Sequence, residues 1–274
     1  MSYFNQLNIA SIQMVSGTHL DKNLELAAVL IRNAKDAGAQ MIVLPEYFAI
    51  MGEKETDKLS LVESHGDGKV QSFLALQAQK HSLWVVGGTH PIQSDNPLKP
   101  YARCYVYNSE GKPVCYYDKI HLFDVLVQDK QKNYQESLFC KAGNKVVVFK
   151  SPWGKIGLAV CYDIRFPELF RSMIQQKVKL ILLPAAFTYA TGKLHWEILL
   201  RARAIENQSY VIASAQGGRH ENGRETWGHS CIISPLGEIL SCFEIGAGFI
   251  TTKLDFVEQK RLRREFPVLS HQKL

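Results

Sequence analysis

The chain has 274 residues, of which 46% are hydrophobic and 21% charged, with a formal net charge of +6. This is ordinary soluble globular composition, sufficient for a substantial core, and it gives no ground for a nucleic-acid binder. The densest basic run, "KRLRREF" at 260–266, reads as the solvated face of a short helix, without the interleaved aromatics that nucleic-acid recognition asks for.

The opening "MSYFNQLNIASIQM" lacks the basic and long apolar segments of a secretory signal. No apolar run approaches the ~18 residues of a membrane span, so no membrane association is expected. Residues 7–14 read as a strand, 21–39 as an amphipathic helix and 40–47 as a second strand. A helix over 70–82, a strand over 83–92 and a hairpin pairing 102–108 with 113–120 across "SEGK" follow. The strand-helix-strand plan then recurs over 154–163, 165–176 and 178–187, and in both copies the last strand carries Leu-Pro. A helix over 193–208 follows, with apolar residues at 194, 198, 199, 202 and 205. After it come a strand over 210–216, a hairpin over 228–243 turning at "PLGE", and a strand over 248–254.

About ten or more strands with about five helices predict sheets covered by helices, and a sheet that wide tends to split in two. The expected architecture is α/β, a four-layer α-β-β-α sandwich. No linker divides the chain, so residues 1–274 read as one domain with a core over about 5–255. The C-terminal helix and tail, 256–274, with their apolar "FPVL", are expected at a dimer interface.

Six cysteines, at 104, 115, 140, 161, 231 and 242, form neither a CxxC pair nor a zinc-ligand spacing. They read as the reduced thiols of an intracellular, cytoplasmic protein. The nine histidines show no HxH or HxxxH pairing, so no metal is expected.

In α/β sheets, ligands collect outside the carboxyl ends of the strands. Three strands end there on reactive residues: Glu46 after "MIVLP", Lys119 after "PVCYYD" and Cys161 after "GLAV". Singly each is a weak signal. Together they form a chemical set, because a carboxylate can take a thiol's proton and a lysine can hold the anions that form. The helix beginning near Arg165 turns its positive end towards Cys161 and is expected to favour the thiolate. Lys119 and the Tyr162 backbone N–H are candidates for an oxyanion site.

In order, context and spacing these residues resemble the nitrilase superfamily, the carbon–nitrogen hydrolases. The motifs are "LPEY", "YYDKIHLFD", "YQES", "AVCYDIRFPELFR", "LPAAFTYATGKLHWEILLRARAIENQSYVIA", "GRETWGHSCIISPLGEIL" and "REFPVLSH", and they span nearly the whole chain. The resemblance implies an α-β-β-α sandwich in homodimers or higher homo-oligomers, of the Nit branch. It implies an amidase acting on a small-molecule linear amide through a cysteine thioester, without metal or organic cofactor. Cys161 would be the nucleophile, Glu46 the general base, Lys119 the oxyanion partner or acid, and Glu136 a second glutamate positioning Lys119 and substrate. Arg165, Phe187 and Thr188 would line the pocket, with Arg165 the candidate for a substrate carboxylate, unless it forms a structural ion pair with Asp163 or Glu168. "AQGGRHENGRETWGHS" and "FPVLSH" look closer to members acting on deaminated glutathione than to ω-amidases acting on α-ketoglutaramate or α-ketosuccinamate. The pattern departs from both groups at "LVQDKQKN", within an atypical segment at 125–133 that borders the pocket in the family.

Two other readings stand beside this one. A class I glutamine amidotransferase would use Cys161 with "HWE" at 195–197, but it needs the glycines of G-x-C-x-G, where this chain has Ala159 and Asp163. His195 and Glu197 read instead as helix surface or support. A silent interaction module would be expected to have lost a member of the Glu-Lys-Cys set, and all three are present.

Overall fold

The computed structural model describes residues 3–127, 129 and 131–273. Its first half builds one sheet. Strands β1 (Gln6–Gln13), β2 (Met41–Val43) and β3 (Trp84–Val86) run parallel, joined through helices α1 (Leu20–Asp36) and α2 (Lys69–His81). Three antiparallel strands widen it: β4 (His90–Ile92), β5 (Tyr101–Tyr107) and β6 (Pro113–Asp118). A two-stranded ribbon, β7 (Asp124–Leu126) with β8 (Asn133–Gln135), then leaves the sheet.

The second half repeats the plan. Strands β9 (Val148–Ser151), β10 (Gly154–Leu158), β11 (Leu180–Ala185) and β12 (Tyr210–Ala215) form the next sheet, with α3 (Pro167–Gln175) and α4 (Tyr189–Asn207) as crossovers. A second ribbon, β13 (Gly217–Arg219) with β14 (Glu225–Trp227), interrupts it before β15 (Ser230–Ile233) and β16 (Ile239–Phe243) complete the edge. Strand β17 (Gly248–Asp255) returns to pair antiparallel with β1, and α5 (Phe256–Glu265) ends the order of long elements. Both strand-helix-strand repeats read from the sequence are therefore real parallel units. The two ribbons were not anticipated, and the strand expected over 83–92 is broken in two at Gly87-Gly88.

The sandwich follows from side-chain alternation. In β1, Leu7 and Ile9 face the second sheet while Ala10 and Ile12 face α1 and α2. Strands buried on both faces need near-continuous apolar runs, which "MIV", "LILLPA" and "YVIASA" supply. Between the sheets the polar exceptions are paired. Ser11 Oγ donates to the Ala213 carbonyl at 2.8 Å, and Ser214 Oγ to the carbonyls of Ile12 and Val43, the latter at 2.9 Å. The far face of the second sheet is covered by Leu169, Phe170 and Met173 of α3 and by Trp196, Leu200 and Ala204 of α4. Among the described residues, no helix is long and apolar enough to cross a membrane.

In helix α4 the apolar positions 194, 198 and 205 do not face the core. Leu194 and Ile198 are 65% and 68% exposed, and Ile205 is also exposed, while the buried face runs through Trp196, Leu200, Arg203 and Asn207. The helix carries two apolar stripes, and periodicity alone does not choose between them.

One backbone contact places Glu46. After β2 the chain runs on beside β3, with Leu44 N–H donating to the Val86 carbonyl at 2.9 Å. Gly88 lies there at φ +57°, and a Cβ on it would stand 2.0 Å from the Pro45 carbonyl oxygen. Gly88→Ala should therefore cost more than about 2 kcal/mol in urea unfolding, combining left-handed strain with a backbone clash. A loss below ~0.5 kcal/mol would show that the Pro45–Glu46 turn does not depend on this approach.

Candidate active site

Each reactive residue expected at a strand end is found at the same end of the sandwich. Glu46 follows β2 by three residues, and its carbonyl accepts from Gln216 Nε2 at 3.0 Å. The next residue, Tyr47, turns at φ +57° and donates its N–H to Thr89 Oγ1 at 3.1 Å. Lys119 follows β6 directly, held by its N–H to the Ala102 carbonyl at 3.1 Å. Glu136 opens a short 3-10 turn after β8, and Cys161 opens another, Cys161–Arg165, after β10. All four side chains are buried, with relative exposures of 1% for Glu46, 2% for Lys119, 6% for Glu136 and 7% for Cys161.

Lys119 is the hub. Its Nζ donates to Glu46 Oε1 at 2.9 Å and to Glu136 Oε2 and Oε1 at 2.8 and 3.1 Å. Burial alone would drive a lysine towards neutrality, but Glu136 and Glu46 outweigh it and hold the ammonium well above its ordinary range. Glu136 is desolvated too, yet Lys119 and then Lys58 keep its carboxyl below the usual range. Its Oε2 also accepts the Phe123 N–H at 2.8 Å, and the Tyr47 hydroxyl donates to Oε1 at 3.3 Å.

Cys161 corrects the expectation of a helix-stabilised thiolate. Helix α3 starts only at Pro167, and the buried thiol lies in one pocket with Glu46. Burial first, and then the Glu46 charge, push its pKa well above the ordinary value, against weaker opposition from Lys119 and the Ala186 backbone. Both effects favour the thiol over the thiolate at rest. Cys161 also adopts φ +47°, so the strained turn that flanking glycines usually permit is present here without them.

Asp163 holds this turn and was missed by the sequence reading, which gave it only an ion pair with Arg165. Fully buried, its Oδ2 accepts the Val160 N–H and the Tyr117 hydroxyl, each at 2.7 Å. Its Oδ1 accepts the His121 N–H at 3.0 Å and lies 2.7 Å from His121 Nδ1. Tyr117 and His121 flank Lys119 by two residues on either side, so one carboxylate ties the cysteine turn of one sheet to the lysine of the other. The paired motifs "YYDKIH" and "CYD" carried that signal. The Tyr162 N–H lies in the first turn of the Cys161–Arg165 segment, whose own bonds begin with Asp163 N–H to the Val160 carbonyl at 3.0 Å.

These groups open on a cavity of about 480 Å³, whose wall includes Tyr162, Phe187 and Thr188 as expected. Arg165 is not in that wall. Its guanidinium lies 3.3 Å from His195 Nδ1 on the surface of α4 and against the rings of Tyr162 and Phe187, backing the wall from outside. Neither the bidentate pocket role nor an ion pair with Asp163 or Glu168 is what the structure gives it. Glu197 pairs with Arg201 at 3.1 Å along the same helix surface. The arginine that does reach the cavity is Arg224, from the ribbon loop before β14, and the sequence reading did not single it out within "GRETWGHS". The atypical segment borders the cavity through Gln131, while Gln128 and Lys130 lie outside the described residues.

A family model described as carbon-nitrogen hydrolase matches residues 8–264. A deaminated glutathione amidase of Synechocystis is 39% identical over 96% of this chain and 96% of its own length. One of Yersinia enterocolitica is 36% identical, over 96% and 92%. Among solved structures, Saccharomyces cerevisiae Nit3, a member of branch 10 of the nitrilase superfamily, superposes with a TM-score of 0.87 at 27% identity, covering 97% of this chain and 96% of that one.

The loop that carries Arg224 has a built-in pH dependence. His220 is buried, its Nδ1 2.9 Å from the Ser16 carbonyl and its Nε2 2.8 Å from Thr226 Oγ1. Burial lowers its pKa from 6.5 to about 4, so the unfolded chain takes up this proton first. The contribution is intact above pH 6.5, declines as pH falls towards 4, and reaches about 3 kcal/mol of lost stability. Urea unfolding between pH 7 and 5 should show a steeper decline in the wild type than in His220→Gln. Parallel slopes would assign the acid sensitivity elsewhere.

Proposed function

Because this chain belongs to the carbon–nitrogen hydrolase family, we propose that it hydrolyses the amide of deaminated glutathione through Cys161, with Glu46 as base and Lys119 as oxyanion partner. The observation that carries the reading is Lys119 held between Glu46 and Glu136 beside a buried thiol in one cavity. Glu46 takes the thiol proton as sulfur attacks the amide carbon. The carbonyl electrons move onto oxygen, where Lys119 Nζ and the Tyr162 N–H stabilise them. As the oxyanion collapses, the C–N bond breaks and Glu46 returns the proton to the departing amine, leaving a thioester. Glu46 then deprotonates water, which adds to the thioester, and the C–S bond breaks to release the acid and restore the thiol. Glu136 positions Lys119 and takes no proton in this scheme.

The substrate assignment rests on the names of the relatives and on room at the cavity mouth. Deaminated glutathione joins a 2-oxo acid to a Cys-Gly leaving group, whereas α-ketoglutaramate loses only ammonia. We also propose a homodimer. Supporting it are the exposed Leu194 and Ile198 on α4 and the exposed Phe266 and Val268 of the tail, apolar surface that a lone protomer leaves in water.

Cys161→Ala and Cys161→Ser should abolish turnover with an unchanged far-UV spectrum and melting temperature. Lys119→Met should cost at least ~100-fold in kcat, the scale of one lost oxyanion donor. A Cys161 variant keeping most of its activity would remove the thiol mechanism. The wild type should prefer deaminated glutathione over α-ketoglutaramate by more than about tenfold in kcat/KM, roughly 1.4 kcal/mol in transition-state binding. The reverse preference would reassign the substrate and leave the chemistry in place.

For assembly, Ile198→Asp, and separately deletion of residues 266–274, should shift the sizing profile towards monomer. A dimer unchanged in both would place the interface on another face.

A further inference from the structure

Arg224 is out of balance with its surroundings. Among the described residues, no carboxylate lies within ion-pair distance of it, and its Nε is buried without a hydrogen-bond partner. Nη1 reaches only the Met51 sulfur at 3.7 Å, and Nη2 only the Ala186 carbonyl at a long 3.4 Å. The rings of Tyr47 and Tyr134 stand 5.9 and 5.4 Å from the guanidinium carbon. Tyr134 is itself fixed, its hydroxyl donating to Asp129 Oδ2 at 2.7 Å. A guanidinium beside two rings, with most of its donors unspent, is arranged to take an anion by a two-pronged contact. Leaving the buried Nε–H unmet is costly, and a ligand carboxylate would relieve that cost.

Position decides which carboxylate. Arg224 lines the cavity around Cys161 and also a wider outer cavity of about 1090 Å³ beyond Tyr134. The other charged residues described in the outer wall are Glu53, Asp129 and Glu225, all acidic. An incoming carboxylate is repelled across that wall except at Arg224. Gln131, Tyr134 and Arg224 line both cavities, so a leaving group that extends from the inner cavity into the outer one passes this junction.

We propose that Arg224 binds the terminal carboxylate of the substrate's leaving group, so that this enzyme selects amides whose amine half is a short peptide ending in a free acid. This rests on the amidase reading above. Arg224 is then a specificity residue, acting on the half of the substrate that departs and not on the acyl half that stays on Cys161.

The test compares three substrates: deaminated glutathione, its analogue ending in glycinamide, and α-ketoglutaramate. The wild type should show a KM at least about tenfold lower for the acid-ended than for the amide-ended peptide substrate. In Arg224→Gln that ratio should fall to about one. Arg224→Lys, which keeps the charge without the fork, should lie between. An equal KM for the two peptide substrates in the wild type would overturn the proposal without any variant. So would an equal proportional loss of kcat/KM on deaminated glutathione and α-ketoglutaramate in Arg224→Gln, which would place the acyl carboxylate at Arg224. If none of the three substrates is turned over by the wild type, the substrate reading fails first. Binding of the dipeptide Cys-Gly and of Cys-glycinamide, measured by calorimetry, still decides: equal affinities overturn the Arg224 assignment, and a clear preference for the free acid that Arg224→Gln abolishes supports it.

Discussion

Everything at the open end of this sandwich depends on keeping one ammonium charged in a place where water cannot reach it. Lys119 is 2% exposed, and an isolated lysine there would give up its proton. Two carboxylates prevent that, with three contacts between 2.8 and 3.1 Å. Such an arrangement holds only if the geometry is rigid, because buried charges lose far more by desolvation than a loose pair returns. The surrounding structure supplies the rigidity. Glu46 is fixed by Gln216 through its carbonyl and by the Gly88 approach, Glu136 by the Phe123 N–H and the Tyr47 hydroxyl, and Lys119 by its backbone pairing to Ala102.

The same requirement explains why the two sheets must be locked in register. Glu46 and Lys119 come from the first sheet, Cys161 from the second, and a slide of one residue would separate thiol from base. Asp163 bridges them at the site itself, and the Ser11 and Ser214 hydroxyls bridge them in the core. Gln13 extends the same ladder: its Oε1 accepts the Ser230 N–H at 3.0 Å, and its Nε2 donates to the Gly246 carbonyl at 3.0 Å. These are polar side chains in an apolar interior. Each is satisfied by a group on another strand, so their net worth lies in specifying alignment more than in raw stability.

Much of this was legible in the sequence, and the parts that were not share a cause. Glu46, Lys119 and Cys161 stand out because each ends an apolar run, and the two Leu-Pro strands reveal the repeat. In α4, Leu194, Ile198 and Ile205 satisfy helical spacing as well as Trp196, Leu200 and Ala204 do, so the sequence alone does not say which stripe is buried. Only the tertiary contact of Trp196 with the Phe187 ring and the His229 carbonyl separates the two. Arg165 and Arg224 are a similar case. Both lie in recognisable motifs, but which guanidinium reaches the cavity depends on a turn of backbone that composition does not encode. The ribbons were missed because strands of three residues leave no periodicity to read.

The raised pKa of Cys161 fits the charge arrangement of the pocket better than a resting thiolate would. Counted as formal charges, Glu46, Glu136 and Lys119 sum to one net negative charge among buried side chains. A third anion on sulfur would face Glu46 directly, with Lys119 already shared between two carboxylates. In the mechanism proposed above, proton transfer from sulfur to Glu46 in concert with attack avoids that state. As the proton reaches the carboxylate, the negative charge moves through sulfur onto the substrate oxygen, so the total charge of the pocket never changes. Lys119, freed from full pairing with Glu46 at that moment, has one contact to spend on the oxyanion while Glu136 keeps it in place. Electrostatic catalysis of this kind needs donors that are already oriented before charge develops. In this proposal Glu136, which exchanges no proton, supplies that orientation through its two contacts to Lys119 Nζ.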